Sequence, residues 1–504
     1  MDVKQSKLIF HNVSANYLVA ATELLIGVFM LPFNLAYLGQ SAYGLWVLLA
    51  SITFYFSMLD AGYGVAQVRF AAKYRAEGNN QAINELASTM FFVFALVGIL
   101  ALCVAALLAL SLESVFHLTS AQAQTGQIVL LLISAYVALG FPFSVFGGIV
   151  NGFQRSYLNG SVALVTAVVV AGINVLVLLA GYGLVELVAA TTAVRVISYL
   201  GYALNAYRVF PELRIRLKYF SRSRLKEITG FSFFLFLIDL ANKVNYSTDT
   251  IVIAAFMGPA AVAVWTVAQR LVEIVQRITN QFNNVLFPVV VDSSTVQQTA
   301  RLQNILLQGT RLSLSMVVPL ATVLGLLARP VVITWVGPDF APSVNVLYVL
   351  CIVVTLRVGS ATSAVILKGS GQHRLLAIAN ITIALCNLAA SIMLVQRFGL
   401  IGVAFGTLLP LLVIPTLVLF PAACRSVGIS AVTVVRESVW PAVWPAAGIA
   451  VVLIAMRVIA PAGWASLILL ALLAGLIYVA LFLGFGITSE ERKWYLGKAK
   501  EIFS

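Results

Sequence analysis

The sequence contains few charged residues for its length. Aspartate, glutamate, lysine and arginine make up 10% of the 504 residues, whereas 61% are hydrophobic and the mean hydropathy is +1.01. A water-soluble protein of this size needs many more polar side chains to cover its surface. The composition therefore excludes a soluble globular fold and indicates a protein whose solvent is lipid.

Residues that carry metal or acid-base chemistry are also scarce. The four cysteines lie singly along the chain without CxxC spacing, and His11, His117 and His373 are far apart. No arrangement of Ser, His and Asp typical of a hydrolase and no phosphate-binding glycine loop is evident. We therefore expect no metal site and no cofactor, and a protein that is not an enzyme.

Long apolar runs of about 20 residues or more follow one another along the chain, and each can cross a hydrocarbon core of roughly 30 Å as a helix. The runs are continuous rather than alternating, which predicts helices and not barrel strands. Glu23 interrupts the first run and no small-residue cleavage site follows, so this run is expected to stay as a membrane helix. The predicted fold class is an all-α integral membrane protein with fourteen transmembrane helices: 13–38, 42–68, 87–110, 126–150, 158–180, 184–206, 230–256, 260–290, 312–336, 343–367, 375–396, 400–422, 439–460 and 463–486.

Lysine and arginine are distributed unevenly among the predicted loops. With the N-terminus inside, 23 of the 31 basic residues fall on the cytoplasmic side, and only Arg329, Arg397 and Arg457 face the other side. By the positive-inside rule, both termini are expected to be cytoplasmic. The remaining five basic residues lie inside predicted spans: Arg195, Lys243, Arg270, Arg277 and Arg357.

The net charge of +13 does not indicate a nucleic-acid partner, because the basic residues are scattered over short loops without a binding module between them. The densest group, from Arg208 to Lys226, is expected to rest on anionic lipid headgroups. Docking of a cytoplasmic partner to this group is the alternative.

Two parts of the sequence repeat each other at an offset of roughly 215 residues. The matching positions are Gly39 and Gly258, Trp46 and Trp265, Gly152 and Gly371, and Asn174 and Asn387. Each copy contains six predicted spans, so both copies begin on the same side and are related by an axis along the membrane normal. The predicted organisation is a six-helix lobe over 1–206, a basic cytoplasmic linker over 207–229, a second six-helix lobe over 230–422, two additional transmembrane helices over 439–486 and a cytoplasmic tail over 487–504.

The stretch between Tyr37 and Arg69 carries the most family-like pattern. It combines Tyr37-Leu-Gly39, Tyr43-Gly-Leu-Trp46 and Leu59-Asp-Ala-Gly-Tyr-Gly64, and Gly399-Leu-Ile-Gly402 echoes it in the second copy. In these motifs, and in its order of six, six and two helices, the chain resembles the polysaccharide and lipid-linked oligosaccharide (O-antigen type) flippases. These belong to the multidrug/oligosaccharidyl-lipid/polysaccharide exporter superfamily.

That resemblance implies two lobes in a V-shaped arrangement that open alternately to either side of the membrane. It also implies an undecaprenyl-diphosphate-linked glycan as substrate, made at the cytoplasmic face of the inner membrane for polysaccharide or lipopolysaccharide biosynthesis. The implied partners are this lipid-linked glycan, membrane lipids and other polysaccharide-assembly proteins. The alternative within the same superfamily is a cation-coupled multidrug exporter, which should have an acidic cavity.

Polar residues recur along one face of the eighth predicted span. Arg270, Glu273 and Arg277 lie at positions i, i+3 and i+7, within about 60° of one another at 100° per residue. Asp239 and Lys243 lie on the seventh span. Because such residues are costly in hydrocarbon, they are expected to face a cavity or a partner.

Two interpretations of these charges remain open. In the first, a cationic excess binds a diphosphate, for which arginine is suited because its planar guanidinium contacts two phosphate oxygens at once. The candidates for this binding are Arg270, Arg277, Lys243 and Arg357. In the second, the charges pair internally, Asp239 with Lys243 and Glu273 with Arg270 or Arg277. For Arg195 alone, we favour internal pairing.

Carboxylates in or near the spans are candidates for coupling or for lining a cavity: Glu23, Asp60, Asp239 and Glu273. A carboxylate in a low-dielectric cavity can bind and release protons or help to hold Na⁺. Hydrogen bonding to neighbouring helices is the alternative role. For Asp60, pairing at the helix end with Arg69 or Lys73 is the corresponding alternative.

The distribution of basic residues generates a topology prediction. Reporters that are active only outside the cytoplasm should be active when fused after about residues 40, 116 and 339, and silent after about residues 75, 220 and 500. The activities of these six fusions test the orientation. Reporter activity at the 220 site would overturn the assignment of two lobes that both start inside.

Overall fold

The computed structural model describes residues 3–60, 62–295, 299–456, 463–487 and 492. Side chains at 3–10, 13, 230–247, 280–289, 291–295 and 373 lie outside this description. Three groups of predicted features therefore lie outside the described residues: most of the tail over 487–504, Arg457, and the side chains of Asp239 and Lys243.

The described residues form helices joined by short turns, and no strand occurs among them. The helices are α1 Val3–Phe56, α2 Tyr63–Ala76, α3 Asn80–Phe116, α4 Ser120–Gly152, α5 Ser156–Leu179, α6 Leu184–Val209, α7 Arg222–Met257, α8 Pro259–Thr295, α9 Thr299–Leu326, α10 Ala328–Val336, α11 Ser343–Gly369, α12 His373–Ile414, α13 Phe420–Ser426, α14 Ala431–Val434, α15 Trp440–Val443, α16 Pro445–Ala455 and α17 Trp464–Leu481.

Ten helical segments of the described residues are long and apolar enough to cross a membrane. Arg374–Ser426 contains two of the predicted spans, and Ser14–Asp60 covers nearly all of the first span and the first part of the second. α7 and α8 cover the predicted spans 230–256 and 260–290, although their side chains are described only in part. The predicted all-helical, multi-pass fold is thereby confirmed.

Gly39 divides α1 into two membrane-crossing parts. A straight helix of the length of α1 would extend about 80 Å, far more than the roughly 30 Å of a hydrocarbon core. The backbone leaves helical geometry at Gly39, with φ 74° and ψ 171°, a conformation that is essentially restricted to glycine. Gly258, between α7 and α8, has nearly the same backbone conformation, with φ 81° and ψ 176°. Gly39 and Gly258 are matching positions of the predicted repeat. The superposition of the whole lobes stays a prediction.

The predicted span 42–68 is wrong in its second half, because the chain turns before it ends. A 3₁₀ turn over Ser57–Asp60 follows α1, and Gly62 then adopts a left-handed conformation with φ 76° before α2 begins. The backbone amide of Gly64 donates to both carboxylate oxygens of Asp60, at 3.1 and 3.3 Å. Asp60 thus satisfies a backbone amide at the start of α2.

The chain forms two compact units, Met1–Ala263 and Val264–Ser504. In the first unit, α4 packs against α3 and α6, α1 packs against α5, and α7 packs against α1, α2 and α3. In the second unit, α9 and α11 form the centre, and α15, α16 and α17, which cover the two predicted additional helices, pack against α9. The predicted lobes, 1–206 and 230–422, are defined by the sequence repeat and not by packing, so their boundaries stay a prediction.

Side chains near the start of α3 hold residues 213–216, a non-helical part of the predicted linker 207–229. The amide of Arg214 donates to Asn84 Oδ1 at 2.7 Å. Two residues later, the amide of Arg216 donates to Ser88 Oγ at 3.2 Å. Side chains one helical turn apart on α3 therefore fix alternate residues of the linker.

A cluster of charged side chains fixes the end of the linker and the start of α7. Arg224 donates to Glu85 at 3.1 Å and to Glu227 at 3.3 Å, and Lys73 pairs with Glu227 at 3.3 Å. Tyr74 donates to Glu227 at 2.8 Å, and burial together with this bond raises the pKa of Tyr74 to about 12. Although burial alone would raise the pKa of Glu227, the hydrogen bonds from Tyr74, Lys73 and Arg224 hold it below its ordinary value. Part of the basic linker is thus neutralised within the first unit.

The turn at Gly39 generates a prediction with a matched control in the same helix. An added Cβ would meet no atom within 4 Å at either Gly39 or Gly27, but only Gly39 has a positive φ. Gly39→Ala should therefore lower the free energy of unfolding by about 1 to 3 kcal/mol through backbone strain. Gly27→Ala should be neutral or stabilising by up to about 1 kcal/mol. Thermal unfolding of the two purified variants measures this difference, and equal melting temperatures would refute it.

Candidate functional site

α8 has one packed face and one exposed face. Trp265, Val272 and Val275 are buried, whereas Arg270 and Arg277 are exposed. At 100° per residue, the two arginines lie within about 20° of each other and nearly opposite the packed face. The predicted polar stripe therefore lies on the exposed side of α8, with about 10 Å of helix rise between the two arginines.

Arg270 belongs to a short hydrogen-bonded chain along α8. Its Nη1 donates to Glu273 Oε2 at 2.9 Å, and Gln269 Nε2 donates to the other oxygen of Glu273 at 2.9 Å. Trp265 Nε1 in turn donates to Gln269 Oε1 at 2.9 Å. The side chains of Arg270 and Glu273 remain 48% and 32% exposed. The predicted pairing of Glu273 with Arg270 is therefore present, in a position that solvent or a ligand can reach.

Arg277 is placed differently from Arg270. It is exposed, and no side chain that the structure describes forms an ion pair with it. The charge of Arg270 is thus balanced by a carboxylate, whereas no described carboxylate balances the charge of Arg277.

The other predicted cations are only partly located. Arg357 lies half-buried on α11, in the same unit as the α8 arginines, and its carbonyl accepts a hydrogen bond from the Ser360 hydroxyl at 3.1 Å. The side chain of Lys243 lies outside the described residues. The structure therefore places Arg270 and Arg277 on one face of α8 and leaves the four-cation set a prediction.

The predicted coupling carboxylates have distinct environments. Glu23 is exposed on α1, and its charge lies near Tyr202 of α6. Asp60 caps α2, which favours a structural role for it. The side chain of Asp239 lies outside the described residues. The coupling role of these carboxylates stays a prediction.

A buried arginine in the second unit was missed by the sequence analysis. Arg311, predicted at the cytoplasmic end of span 312–336, lies in the middle of α9, because this helix begins at Thr299 and ends at Leu326. It is 7% exposed, and its Nη2 donates to Gln308 Oε1 at 2.7 Å.

Polar side chains also join α9 to α11. Ser313 on α9 and Thr362 on α11 are fully buried and lie 3.5 Å apart between their hydroxyls. No signal in the sequence indicates that α9 begins before Arg311, because a charged residue at the edge of an apolar run is typical of the end of a span.

Solved structures with a similar fold are membrane transporters. The chain aligns with "Lipid II flippase MurJ, inward closed conformation" with a TM-score of 0.71, over 94% of this chain and 98% of that chain, at 15% identity. It aligns with an inward-facing multidrug resistance MATE family transporter of the MOP superfamily with a TM-score of 0.66, over 82% of this chain and 94% of that chain, at 17% identity. The chain therefore shares the fold of these transporters over most of its length.

The sequence comparison identifies the family. The family described as "Polysaccharide biosynthesis protein" matches residues 9–294, more than half of the chain. This chain belongs to that polysaccharide biosynthesis family, which confirms the resemblance stated above. "Uncharacterized membrane protein EpsK" of Bacillus subtilis (strain 168) is 22% identical over 342 residues, which are 67% of each chain.

The Arg270–Glu273 pair on α8 should contribute little to the stability of the protein. Because both side chains are partly exposed, solvent screening limits the Arg270–Glu273 pair to about 1 kcal/mol or less, and Glu273→Gln should barely change the melting temperature. Gln308→Leu should destabilise more, by about 1 to 3 kcal/mol, because it removes an acceptor from the buried Arg311. Thermal unfolding in detergent compares the two variants. A loss for Glu273→Gln as large as that for Gln308→Leu would favour the purely structural role of the α8 charges.

Proposed function

We propose that this chain flips a lipid-diphosphate-linked oligosaccharide or polysaccharide precursor across the cytoplasmic membrane by alternating access. Membership of the polysaccharide biosynthesis family supports a role in glycan assembly. The fold shared with a lipid II flippase and a MATE transporter supports movement of a substrate rather than its covalent conversion.

The exposed cations on α8 carry the proposal. An arginine that faced lipid in the middle of a span would cost about 2.5 to 3.5 kcal/mol on insertion scales, so exposed Arg270 and Arg277 favour a water-filled path. A diphosphate offers oxygens that a guanidinium binds with two parallel hydrogen bonds. In this proposal, Arg277 binds the diphosphate with its whole guanidinium. Arg270 binds it with the N–H donors that its pair with Glu273 does not use.

The same face argues against a drug exporter for organic cations. Glu273 is the described carboxylate on the exposed side of α8, and Arg270 already neutralises it at 2.9 Å. An organic cation would need an acidic site to offset its own desolvation. The local charge therefore favours an anionic substrate.

The orientation, the energy source and the partners belong to the proposal as well. The distribution of basic loops supports cytoplasmic termini in the inner membrane. Glu23, exposed on a membrane helix near Tyr202, is the residue that we expect to couple transport to an ion. The expected partners are the lipid-linked glycan, membrane lipids and other polysaccharide-assembly proteins.

Removal of both α8 arginines tests the function in cells. In a strain that lacks its own copy, Arg270→Ala/Arg277→Ala should reduce surface glycan at least about tenfold and accumulate lipid-linked precursor inside, because charge-assisted bonds to phosphate are lost. Lysine at both positions should restore export only in part, since it binds as a point charge. Surface glycan and extracted lipid-linked precursor are the measurements.

The control is Arg329→Ala/Arg397→Ala, which removes the same charge from two other exposed positions of the second unit. It should export normally, and membrane abundance should be equal in all variants. Normal export by the Arg270→Ala/Arg277→Ala protein would contradict the proposed site.

A further inference from the structure

Arg195 lies exposed in the middle of a membrane-spanning helix. α6 runs from Leu184 to Val209, which places Arg195 about 16 Å from one end and about 21 Å from the other. It is nevertheless exposed. A charged group at this depth requires water, a partner or a ligand.

The partner of Arg195 is an aromatic ring rather than a carboxylate. Its Cζ lies 5.8 Å from the centroid of the Tyr136 ring on α4. Among the side chains that the structure describes, no carboxylate lies within ion-pair distance of Arg195. Among the described residues, the internal pairing that we expect for Arg195 is therefore a cation–π contact.

The ring beneath Arg195 is held by a stack of aromatic side chains between α4 and α6. Tyr136 and Tyr199 are parallel within 3° at 5.5 Å, and Tyr199 stacks on Phe143 at 5.3 Å. The Tyr199 hydroxyl also donates to the backbone carbonyl of Tyr136 at 3.1 Å. Each α4 ring is thus fixed by Tyr199, which leaves little freedom for the position of the guanidinium.

Gly140 makes room for this arrangement. A Cβ at residue 140 would lie 2.5 Å from the Tyr199 hydroxyl oxygen, so the stack depends on the absence of a side chain there. Tyr136, Gly140 and Phe143 lie at i, i+4 and i+7 on α4, as Arg195, Tyr199 and Tyr202 do on α6. One face of each helix therefore builds the site.

The charges around Arg195 leave its donors available. The charge of Glu23 on α1 lies near Tyr202, which is about two turns, or about 10 Å, along α6 from Arg195, and Glu23 forms no ion pair with Arg195. A cation–π contact through the face of a guanidinium leaves its five in-plane N–H donors for an acceptor. The arrangement is suited to a phosphate, two of whose oxygens can accept parallel hydrogen bonds from one guanidinium.

We propose that Arg195, seated on the Tyr136–Tyr199–Phe143 stack, is a phosphate-binding site built by residues of the first unit. The ligand is a phosphate group of the transported glycolipid, so this inference rests on the proposed function. The depth of Arg195 argues against phospholipid headgroups, which lie beyond the ends of a membrane-spanning helix.

Binding of farnesyl diphosphate to the purified full-length chain tests the inference. In an Arg270→Gln/Arg277→Gln background, residual binding should isolate the site on α6. Adding Arg195→Gln should weaken that binding at least about tenfold, because a charged donor to phosphate is lost. Arg195→Lys should bind with intermediate affinity, and Tyr136→Leu should weaken binding although it removes no charge.

The matched control is Arg208→Gln, which removes an exposed arginine from the end of the same helix and should leave the affinity within about twofold. Thermal unfolding establishes that the variants are folded. Unchanged affinity in the Arg195→Gln protein would overturn this inference alone. Failure of the unsubstituted chain to bind farnesyl diphosphate would overturn the proposed function as well. Displacement of the probe by an equal concentration of phosphatidylglycerol would assign the site to headgroups and also refute the inference.

Discussion

Hydrocarbon offers no hydrogen bonds, and this constraint explains both the fold and the sites. The backbone satisfies itself in helices, and polar side chains within the spans are satisfied by neighbours. Arg311 illustrates the second rule, since it is buried in α9 and donates to Gln308 at 2.7 Å. Against this background, an exposed arginine in a span needs another explanation. Arg277 and Arg195 are both exposed, and neither forms an ion pair with any described side chain.

The arginines of this chain therefore differ in what holds them. Arg224 is bound by Glu85 and Glu227 at the end of the linker, where it fixes the start of α7 to α3. In that cluster, the positive charge of Arg224 has a structural role. Arg277 forms no ion pair with a described side chain, and the described partner of Arg195 is the Tyr136 ring. The proposal of an anionic substrate follows from this division between paired and available cations, and family membership supports it.

Hydropathy was sufficient to predict the helical, multi-pass fold, because span length and apolar character are properties of single segments. The same reasoning misplaced the start of α9, since a charged residue such as Arg311 at the edge of an apolar run resembles a loop residue, whereas the helix begins at Thr299. It could not name the partner of Arg195, because Tyr136 comes from a different helix, and no periodicity within α6 reveals it. Helical periodicity did predict the shared face of Arg270 and Arg277, which depends on one helix alone.

Transport by the purified chain in proteoliposomes tests the central claim most directly. A fluorescent polyprenyl-diphosphate disaccharide would be incorporated in both leaflets, and a membrane-impermeant quencher would then report how fast the inner pool becomes accessible. The account predicts that the chain makes the inner pool accessible to the quencher and that Arg270→Gln/Arg277→Gln loses this activity. Accessibility no faster than in protein-free liposomes, together with transport of a fluorescent organic cation by the same preparation, would contradict it.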